Sequence, residues 1–482
     1  MERKFYDRFE ELDFLKNKFD KMTKGEFGVL YGRRRVGKSE LLRKFVSKVK
    51  EKNVYMNIID SSKGEFRRTL SKKLEECFGE VVKINTWSDF FEYIEEKVKD
   101  KKLLLVFDEF QRIDSFAKDF IYSLQEFWDN SLKNSKIMII ISGSSMSMMH
   151  RLALEEKGPL YGRKTFTIPL KQFRYVDFRE MFKESPEEDK IKIFSIFGGT
   201  PKYLTDFRES KLDLLDSIKE LVLSRRGSLY DEPINALKFE LKSPDRYIAI
   251  LKAISCGKIG IREIADTLDF KQEQLTPYLK NLVNLLDILQ ASNPLFGKKK
   301  MKRYMIKDNF FRFWYRFVYP YKEQLDEGIE ETIIKRMNKE LFDYYGRIFE
   351  EIIKEFFLFI RGREIKGNKI EFDEYGKWWE ENEDIDLVLR NRGKAVFVEI
   401  KFKNKKMGSH CYEELKRKSL KTSASGKFEY IIVSKEGFEQ ELIDRKIPNL
   451  LLLSLKDISK ILDDETKREK EIQENLIQYF GI

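Results

Sequence analysis

The stretch "YGRRRVGKSE", residues 31–40, decides how this chain folds. Gly32, Arg33, Arg34, Arg35, Val36, Gly37, Lys38 and Ser39 fit the pattern G-x-x-x-x-G-K-[S/T], with an apolar strand, "FGVLY", before it and a helix, "SELLRKFV", after it. Glycines let the main chain wrap a phosphate group, so that amide N–H groups and the positive end of the helix face its negative charge. Lys38 then reaches the β- and γ-phosphates, and the Ser39 hydroxyl is placed to ligate Mg²⁺. A nucleoside triphosphate and Mg²⁺ are therefore the expected ligands of Gly32–Ser39. Because the main chain provides the grip, the side chains of Arg33, Arg34 and Arg35 are expected to face water and raise the local positive potential. The competing reading has one of them touching a lid or a neighbouring subunit.

From residue 26 to about 200, short apolar runs ("FGVLY", "NVYMNII", "KLLLVFD", "KIMIIIS", "KTFTIPL") alternate with amphipathic stretches. That pattern predicts a mostly parallel sheet flanked by helices. "KLLLVFDEFQ" ends a buried strand in Asp108-Glu109. Asp108 is expected to hold Mg²⁺ through water, and Glu109 to orient and deprotonate the attacking water. The next strand ends in "SGSS", where Ser142 or Ser144 is positioned to sense a γ-phosphate. Before the sheet, Phe9, Leu12, Leu15 and Phe19 repeat at helical spacing, and residues 201–240 read as a helical lid or linker.

The composition is that of a folded protein: 482 residues, 41% hydrophobic and 14% aromatic, with 10 Pro. Such a length predicts two to four domains. A net charge of +11 fits a polyanionic partner without naming it. Only His150, His410 and three scattered cysteines are present, which argues against a zinc enzyme or a disulfide framework. With neither an apolar signal core nor a run long enough to span a bilayer, a cytoplasmic protein without membrane contact is expected.

Residues 245–306 read as three short helices and a basic hairpin, a winged helix. Its third helix is expected over 277–288, capped by Thr276 with Pro277 in the first position. On a DNA-binding reading this helix enters a groove while Lys298 to Lys300, Lys302 and Arg303 touch phosphates. On the alternative the module is a packing or partner-docking unit. "FFRFWYRFVYP" (310–320) reads as buried packing.

In the last part, "IDLVL" and "AVFVEIKF" are joined by "RNRGK" and predict an antiparallel hairpin. A two-residue turn makes paired residue numbers sum to an odd value, which puts Asp386 on the face of Glu399 and Lys401. Two carboxylates and a lysine on an otherwise apolar strand pair call for a partner such as a metal ion.

Two resemblances sharpen these expectations. "FYDRFEELDFL", "LYGRRRVGKSELL", "LLVFDEFQRI", "IISGSSMSMM", "GPLYGRK" and "FGGTPKYL" together resemble the archaeal ATPase family of the AAA+/STAND class of P-loop NTPases, over about residues 1–240. The resemblance implies that Arg8 lies by the nucleotide, that Gly199-Thr200-Pro201 marks the lid and that Arg163 is an arginine sensor. It also admits a homo-oligomer, since such ATPases often complete their site from a neighbour. The Asp, Glu-x-Lys hairpin and a preceding helical Glu350 resemble the PD-(D/E)XK nuclease core, and residues from about 310 on resemble the C-terminal domain that accompanies archaeal ATPases. If that site is live, Glu350, Asp386 and Glu399 hold a second Mg²⁺ or Mn²⁺ and Lys401 positions the water.

The expected architecture is thus α/β. Residues 1–240 form the P-loop domain with its lid, 241–310 a winged-helix module, and 311–482 a helical connector with a restriction-endonuclease-like domain. The leading functional expectation is a Mg²⁺-dependent ATPase whose nucleotide state controls DNA binding, with cleavage by the C-terminal domain as its extension. The runner-up is a slowly hydrolysing signalling switch that binds a protein partner and carries an inactive nuclease fold.

Overall fold

The computed structural model describes residues 6, 8–99, 101–296 and 302–480. Five parallel strands, β1 (Glu26–Tyr31), β2 (Lys52–Asn57), β3 (Leu103–Asp108), β4 (Ile137–Gly143) and β5 (Phe166–Pro169), form one sheet in the order β2-β3-β4-β1-β5. Every residue of β3 and β4 is buried, as expected of strands covered on both faces. Their side chains alternate between two cores. Leu104, Val106, Met138 and Ile140 pack under the helices Phe9–Lys21 and Lys38–Lys48, whereas Leu103, Leu105, Ile137 and Ile139 pack with Phe66, Trp87 and Phe120. In the first helix Leu12, Leu15 and Phe19 are buried, but Phe9 is 50% exposed. Because β4 lies between β1 and β3, the loops after all three strands open at one edge of the sheet.

The lid expected over 201–240 is helical, with helices Pro201–Ser210, Leu214–Ile218 and Glu232–Glu240. Helices Asp245–Ser255, Ile261–Thr267 and Gln272–Lys280 come next, then an antiparallel ribbon of β6 (Leu289–Ser292) and β7 (Arg303–Ile306), in which Leu289 pairs with Ile306. The third helix begins at Gln272, five residues before the expected start. Thr276 does not cap it; its hydroxyl bonds back to the Gln272 carbonyl, and Pro277 lies inside the helix. Pro277, in the second turn, forgoes the one main-chain bond it would otherwise donate, to the Glu273 carbonyl. Lys298 to Lys300 lie outside the described residues.

The aromatic stretch forms the buried helix Asn309–Phe317, whose Trp314 indole donates to the Tyr230 carbonyl at 2.7 Å. A 30-residue helix, Glu330–Phe359, leads past the small ribbon β8 (Glu364–Ile365) and β9 (Asn368–Lys369) into a second, mixed sheet. That sheet orders β10 (Glu374–Glu380), β11 (Glu383–Asn391), β12 (Lys394–Lys401), β13 (Lys427–Ser434) and β14 (Leu450–Ser454) in sequence, antiparallel through β12 and parallel thereafter. One apolar cluster runs from the lid through the three helices and Phe310–Phe317 to the long helix and one face of this sheet.

Leu295 and Phe296, which follow β6, are docked against the second sheet. Leu295 N–H donates to the Lys377 carbonyl at 2.8 Å, Ser423 Oγ donates to the Phe296 carbonyl at 3.2 Å, and the Arg390 guanidinium sits 5.1 Å from the Phe296 ring. Arg303, expected to touch phosphate, instead lies 4.5 Å over the Trp379 ring. A planar, weakly hydrated guanidinium stacks readily on an indole, and burial here lowers its pKa.

Candidate functional site

The loop after β1 turns through left-handed conformations at Arg35 (φ 70°) and Gly37 (φ 95°), which lines successive amides along a concave surface. Gly32 is needed for a different reason: a β-carbon there would collide with the Leu170 carbonyl. Lys38 opens the following helix and is only 3% exposed. Its ammonium folds back on the loop, donating to the Gly32 carbonyl at 2.8 Å and the Arg33 carbonyl at 2.9 Å. Burial lowers its pKa to about 8, against the opposing fields of Glu109, Asp108 and Glu240.

Asp108 is fully buried at the end of β3. Ser142 Oγ donates to Asp108 Oδ1 at 2.6 Å, the Glu109 amide donates to the same oxygen at 3.1 Å, and Tyr55 Oη donates to Oδ2 at 2.7 Å. Ser39 reaches the same phenol, whose pKa is raised by burial and by Asp108. Glu109 itself is left-handed (φ 57°), and its carboxylate accepts from Gln111 Nε2 at 2.6 Å and Ser144 Oγ at 2.7 Å. Loop, lysine, hydroxyl and two acids therefore meet at one edge of the sheet. Tyr55 carries no sequence motif; only its register on β2, beside β3, places it at Asp108.

Three of the loop's residues depart from the solvated arrangement their sequence favours. Arg33 Nη1 pairs with Asp308 Oδ2 at 2.8 Å and stacks 4.4 Å over the Phe311 ring. Arg35 Nη1 pairs with Glu232 Oε2 at 2.9 Å. Arg34 lies 5.7 Å over Phe239. Asp308 caps the aromatic helix and Glu232 opens the last lid helix, so the arginines are bound to helices beyond the sheet and are not simply solvated. The expectation fails because both acids are distant in sequence and each is deeply buried, where an unpaired carboxylate is costly.

Arg8, which the resemblance puts by the nucleotide, is buried against the phosphate loop: it donates to the Val36 carbonyl at 3.4 Å and to the Lys171 carbonyl, and lies 4.9 Å over Phe173. Pro201 opens its helix 4.0 Å from where a Gly37 β-carbon would stand, so Gly199-Thr200-Pro201 does abut the loop. Arg163 is engaged elsewhere, in an ion pair with Asp129 at 2.6 Å and a bond to the Pro159 carbonyl at 2.9 Å.

In the second sheet the turn falls at Arg392-Gly393, with Asn391 opposite Lys394 and Leu387 opposite Val398, the odd-sum register. Lys401 Nζ lies 2.5 Å from Glu399 Oε1 and 3.5 Å from Asp386 Oδ2, which also accepts the Ile400 amide at 2.8 Å. Glu350, on the long helix, pairs with Lys377. Desolvation raises the pKa of Glu350 to about 7, and Asp386 adds to that rise; desolvation also raises Glu399. The four residues are thus brought together, but two ammonium groups sit on the carboxylates. Among the described residues no group of three or more His, Cys, Asp or Glu is arranged to hold a metal ion.

The concave amide run, the buried lysine and the hydroxyl–carboxylate pair suit a magnesium-bound triphosphate. Gly32–Ser39 would hold the phosphates, Ser39 and Asp108 would hold the cation, and that cation would neutralise charge on the phosphate oxygens. Sheet order and site together define a P-loop NTPase.

Comparison with known proteins narrows this. Residues 5–207 match the family described as an ATPase domain predominantly from Archaea, and residues 314–418 match a family of archaeal and bacterial proteins of unknown function. An uncharacterized protein of Methanocaldococcus jannaschii is 34% identical over 466 residues, covering 94% of this chain and all of that protein. An uncharacterized ATP-binding protein of the same organism is 43% identical over 53 residues, 11% of this chain and 88% of that one. Among solved structures, the Walker-type ATPase PABY2304 of Pyrococcus abyssi is similar, with TM-score 0.48, 21% identity, and coverage of 65% of this chain and 96% of that one. The Aeropyrum pernix ORC2 protein has TM-score 0.44 and 13% identity, covering 70% and 98%. The chain belongs to the archaeal ATPase family of P-loop proteins, with the C-terminal domain that accompanies it. No helix among its described residues is long and apolar enough to cross a membrane.

Proposed function

We propose that this chain is a Mg²⁺-dependent ATPase in which the nucleotide state of the loop 32–39 sets how the C-terminal half engages DNA. The three-part division at about residues 240 and 310, with a winged helix in the middle, belongs to this proposal. Its main support is the pair of ion pairs from the phosphate loop itself, Arg33 to Asp308 and Arg35 to Glu232. A loop that rearranges around a phosphate must move those arginines, and each is tied to a helix outside the sheet. In this proposal Lys38 binds phosphate, Ser39 and Asp108 bind the cation, Glu109 is the base, and Ser142, which donates to Asp108, fixes its orientation. At the far end, Glu350, Asp386, Glu399 and Lys401 are the proposed phosphodiester-cleaving group, which needs a second Mg²⁺ or Mn²⁺.

A specific observation favours a second reading, a switch with a protein partner and an inactive nuclease fold. Arg303 is spent on Trp379, and Lys377 and Lys401 occupy the carboxylates that a metal would need. Wild type, Lys38→Ala, Glu109→Gln and Lys401→Ala separate the two. The first reading expects low-salt binding of duplex DNA that differs between ATP and ADP, and Mn²⁺-dependent nicking lost only in Lys401→Ala among otherwise folded variants. Wild type that hydrolyses ATP yet neither shifts nor cuts DNA establishes the second.

A further inference from the structure

The helix Glu232–Glu240 crosses from the phosphate loop to the turn after β4, and it is fastened at both ends. At its start, Glu232 takes the Arg35 ion pair at 2.9 Å and the Tyr203 hydroxyl at 3.0 Å. At its end, the Glu240 carboxylate accepts from the Met146 amide at 2.9 Å, the Ser147 amide at 3.2 Å, Ser145 Oγ at 3.1 Å and Ser147 Oγ at 3.0 Å. Between them Phe239 lies under Arg34. No motif marks Glu240, and neither the hydrolytic nor the magnesium-binding role uses it.

Its position gives it a task. The turn 143–147 follows Ser142, which binds Asp108, and Ser144, which binds Glu109. Glu240 thus closes a row of three carboxylates, each held by a serine of the segment 142–147, and all three act on the Lys38 ammonium. A nucleoside triphosphate adds a doubly charged terminal phosphate to this neighbourhood. Magnesium held by Asp108 would offset charge there, and Glu109 would take a hydrogen bond from the attacking water. Glu240 gains no counter-charge. A diphosphate lacks that terminal group and adds correspondingly less negative charge beside Glu240.

Building on the ATP-binding reading above, we propose that Glu240 is the residue by which this site tells nucleoside triphosphate from diphosphate: its carboxylate latches the helix Glu232–Glu240 to the serine turn, and the terminal phosphate expels it. The latch raises the free energy of the triphosphate complex only, so affinity is biased towards ADP and binding of ATP frees the helix that Arg35 also holds. Its other end then keeps only the two contacts at Glu232, from Arg35 and Tyr203, which makes release of the Glu240 end a consequence of triphosphate and not of nucleotide in general.

The test uses the full chain with Mg²⁺, AMP-PNP and ADP. By calorimetry, Glu240→Gln should tighten AMP-PNP about tenfold and change ADP less than about twofold, the asymmetry expected when one repelling charge is removed from one complex. In wild type, hydrogen exchange of the amides of Met146, Ser147 and residues 232–240 should be faster with AMP-PNP than with ADP, a measurement independent of how the variant folds. Equal effects of Glu240→Gln on both nucleotides, or equal exchange with both bound, overturn the latch while leaving nucleotide binding intact. Failure of wild type to bind either nucleotide overturns the ATP-binding reading, and the latch with it.

Discussion

Arg33→Ala is the substitution that best tests whether the loop arginines are structural ties. Arg33 and Asp308 are 2.8 Å apart, and their side chains are 17% and 1% exposed. Removing one partner of a buried pair costs roughly 3–5 kcal/mol, because the other charge is left desolvated. Asp308 is not left bare: it keeps the Phe311 amide at 3.0 Å and the Gln172 side chain. That moves the estimate to the low end, and loss of the stacking on Phe311 at 4.4 Å adds back about 0.5–1 kcal/mol. The net is about 3.5–4 kcal/mol, or roughly 400- to 900-fold in the equilibrium that opens the helix Asn309–Phe317. Native-state hydrogen exchange on the peptide carrying Phe311 to Phe313 reads that opening directly. Asp308→Asn should cost less, about 1–2 kcal/mol, since the amide oxygen can still cap the helix, and the double variant should fall short of the summed costs by about 1.5 kcal/mol. Exchange within about twofold of wild type in Arg33→Ala would mean that the guanidinium is solvated, and the argument that the loop controls the distal helix would fail.

Three other outcomes rest on the same geometry. Lys38→Ala should lose nucleotide binding in calorimetry, whereas Glu109→Gln should bind normally and release phosphate on the order of 10²–10³-fold more slowly; wild-type turnover in Glu109→Gln would place the base elsewhere. Lys401→Ala should lower stability by about 3 kcal/mol by leaving Glu399 and Asp386 buried without their cation, and adding Glu399→Gln should restore part of it, read by urea titration. Burial raises Glu355 to about 7 in the folded chain, above the ordinary 4.5. The folded state therefore binds more protons between those values, and stability falls as pH rises from about 4.5 through 7; Glu355→Gln should match wild type near pH 4.5 and exceed it by on the order of 3 kcal/mol at pH 8.

Local patterning makes part of this molecule legible in its sequence. The phosphate loop is read from one contiguous stretch, and the fully apolar strands around it announce a two-sided sheet. The alternation of side chains along two strands suffices to put Asp386 with Glu399 and Lys401. Other features are hidden for physical reasons. Strand β10 escapes because its register shifts between Gly376 and Trp378, so that Trp378 and Trp379 are both buried and no period-two pattern survives. The third helix of the central module starts earlier than its sequence suggests. Pro277 suits a first turn so well that it masks the weaker start at Lys271–Gln274, where Gln274 Oε1 accepts the Lys271 amide at 3.1 Å. The acidic partners of Arg33 and Arg35 lie about 200 or more residues away, and no local rule finds them.

The register shift in β10 ties these observations together. Lys377 is the residue at the shift; its carbonyl accepts the Leu295 amide from the β6–β7 loop, and its ammonium pairs with Glu350. A straight strand would have presented the residue to one ladder only, whereas the bulge turns the main chain to the loop and the side chain to the long helix. Leu295 lies between β6 and β7, and β7 runs directly into Asp308, which holds Arg33 of the phosphate loop. From loop 32–39 to the acidic group of the second sheet there is thus a series of linked neighbours among the described residues: Arg33, Asp308, β7, its partner β6, Leu295, Lys377, Glu350. Contiguity alone does not make a signal. What the series supplies is a reason for the protein to keep a partly buried carboxylate paired to a lysine on a bulge, since replacing a desolvated pair by apolar side chains is often neutral or stabilising. A pair kept only for stability would gain nothing from being held by the same residue that anchors the ribbon, and that double use of Lys377 is what a coupling role between the two halves requires.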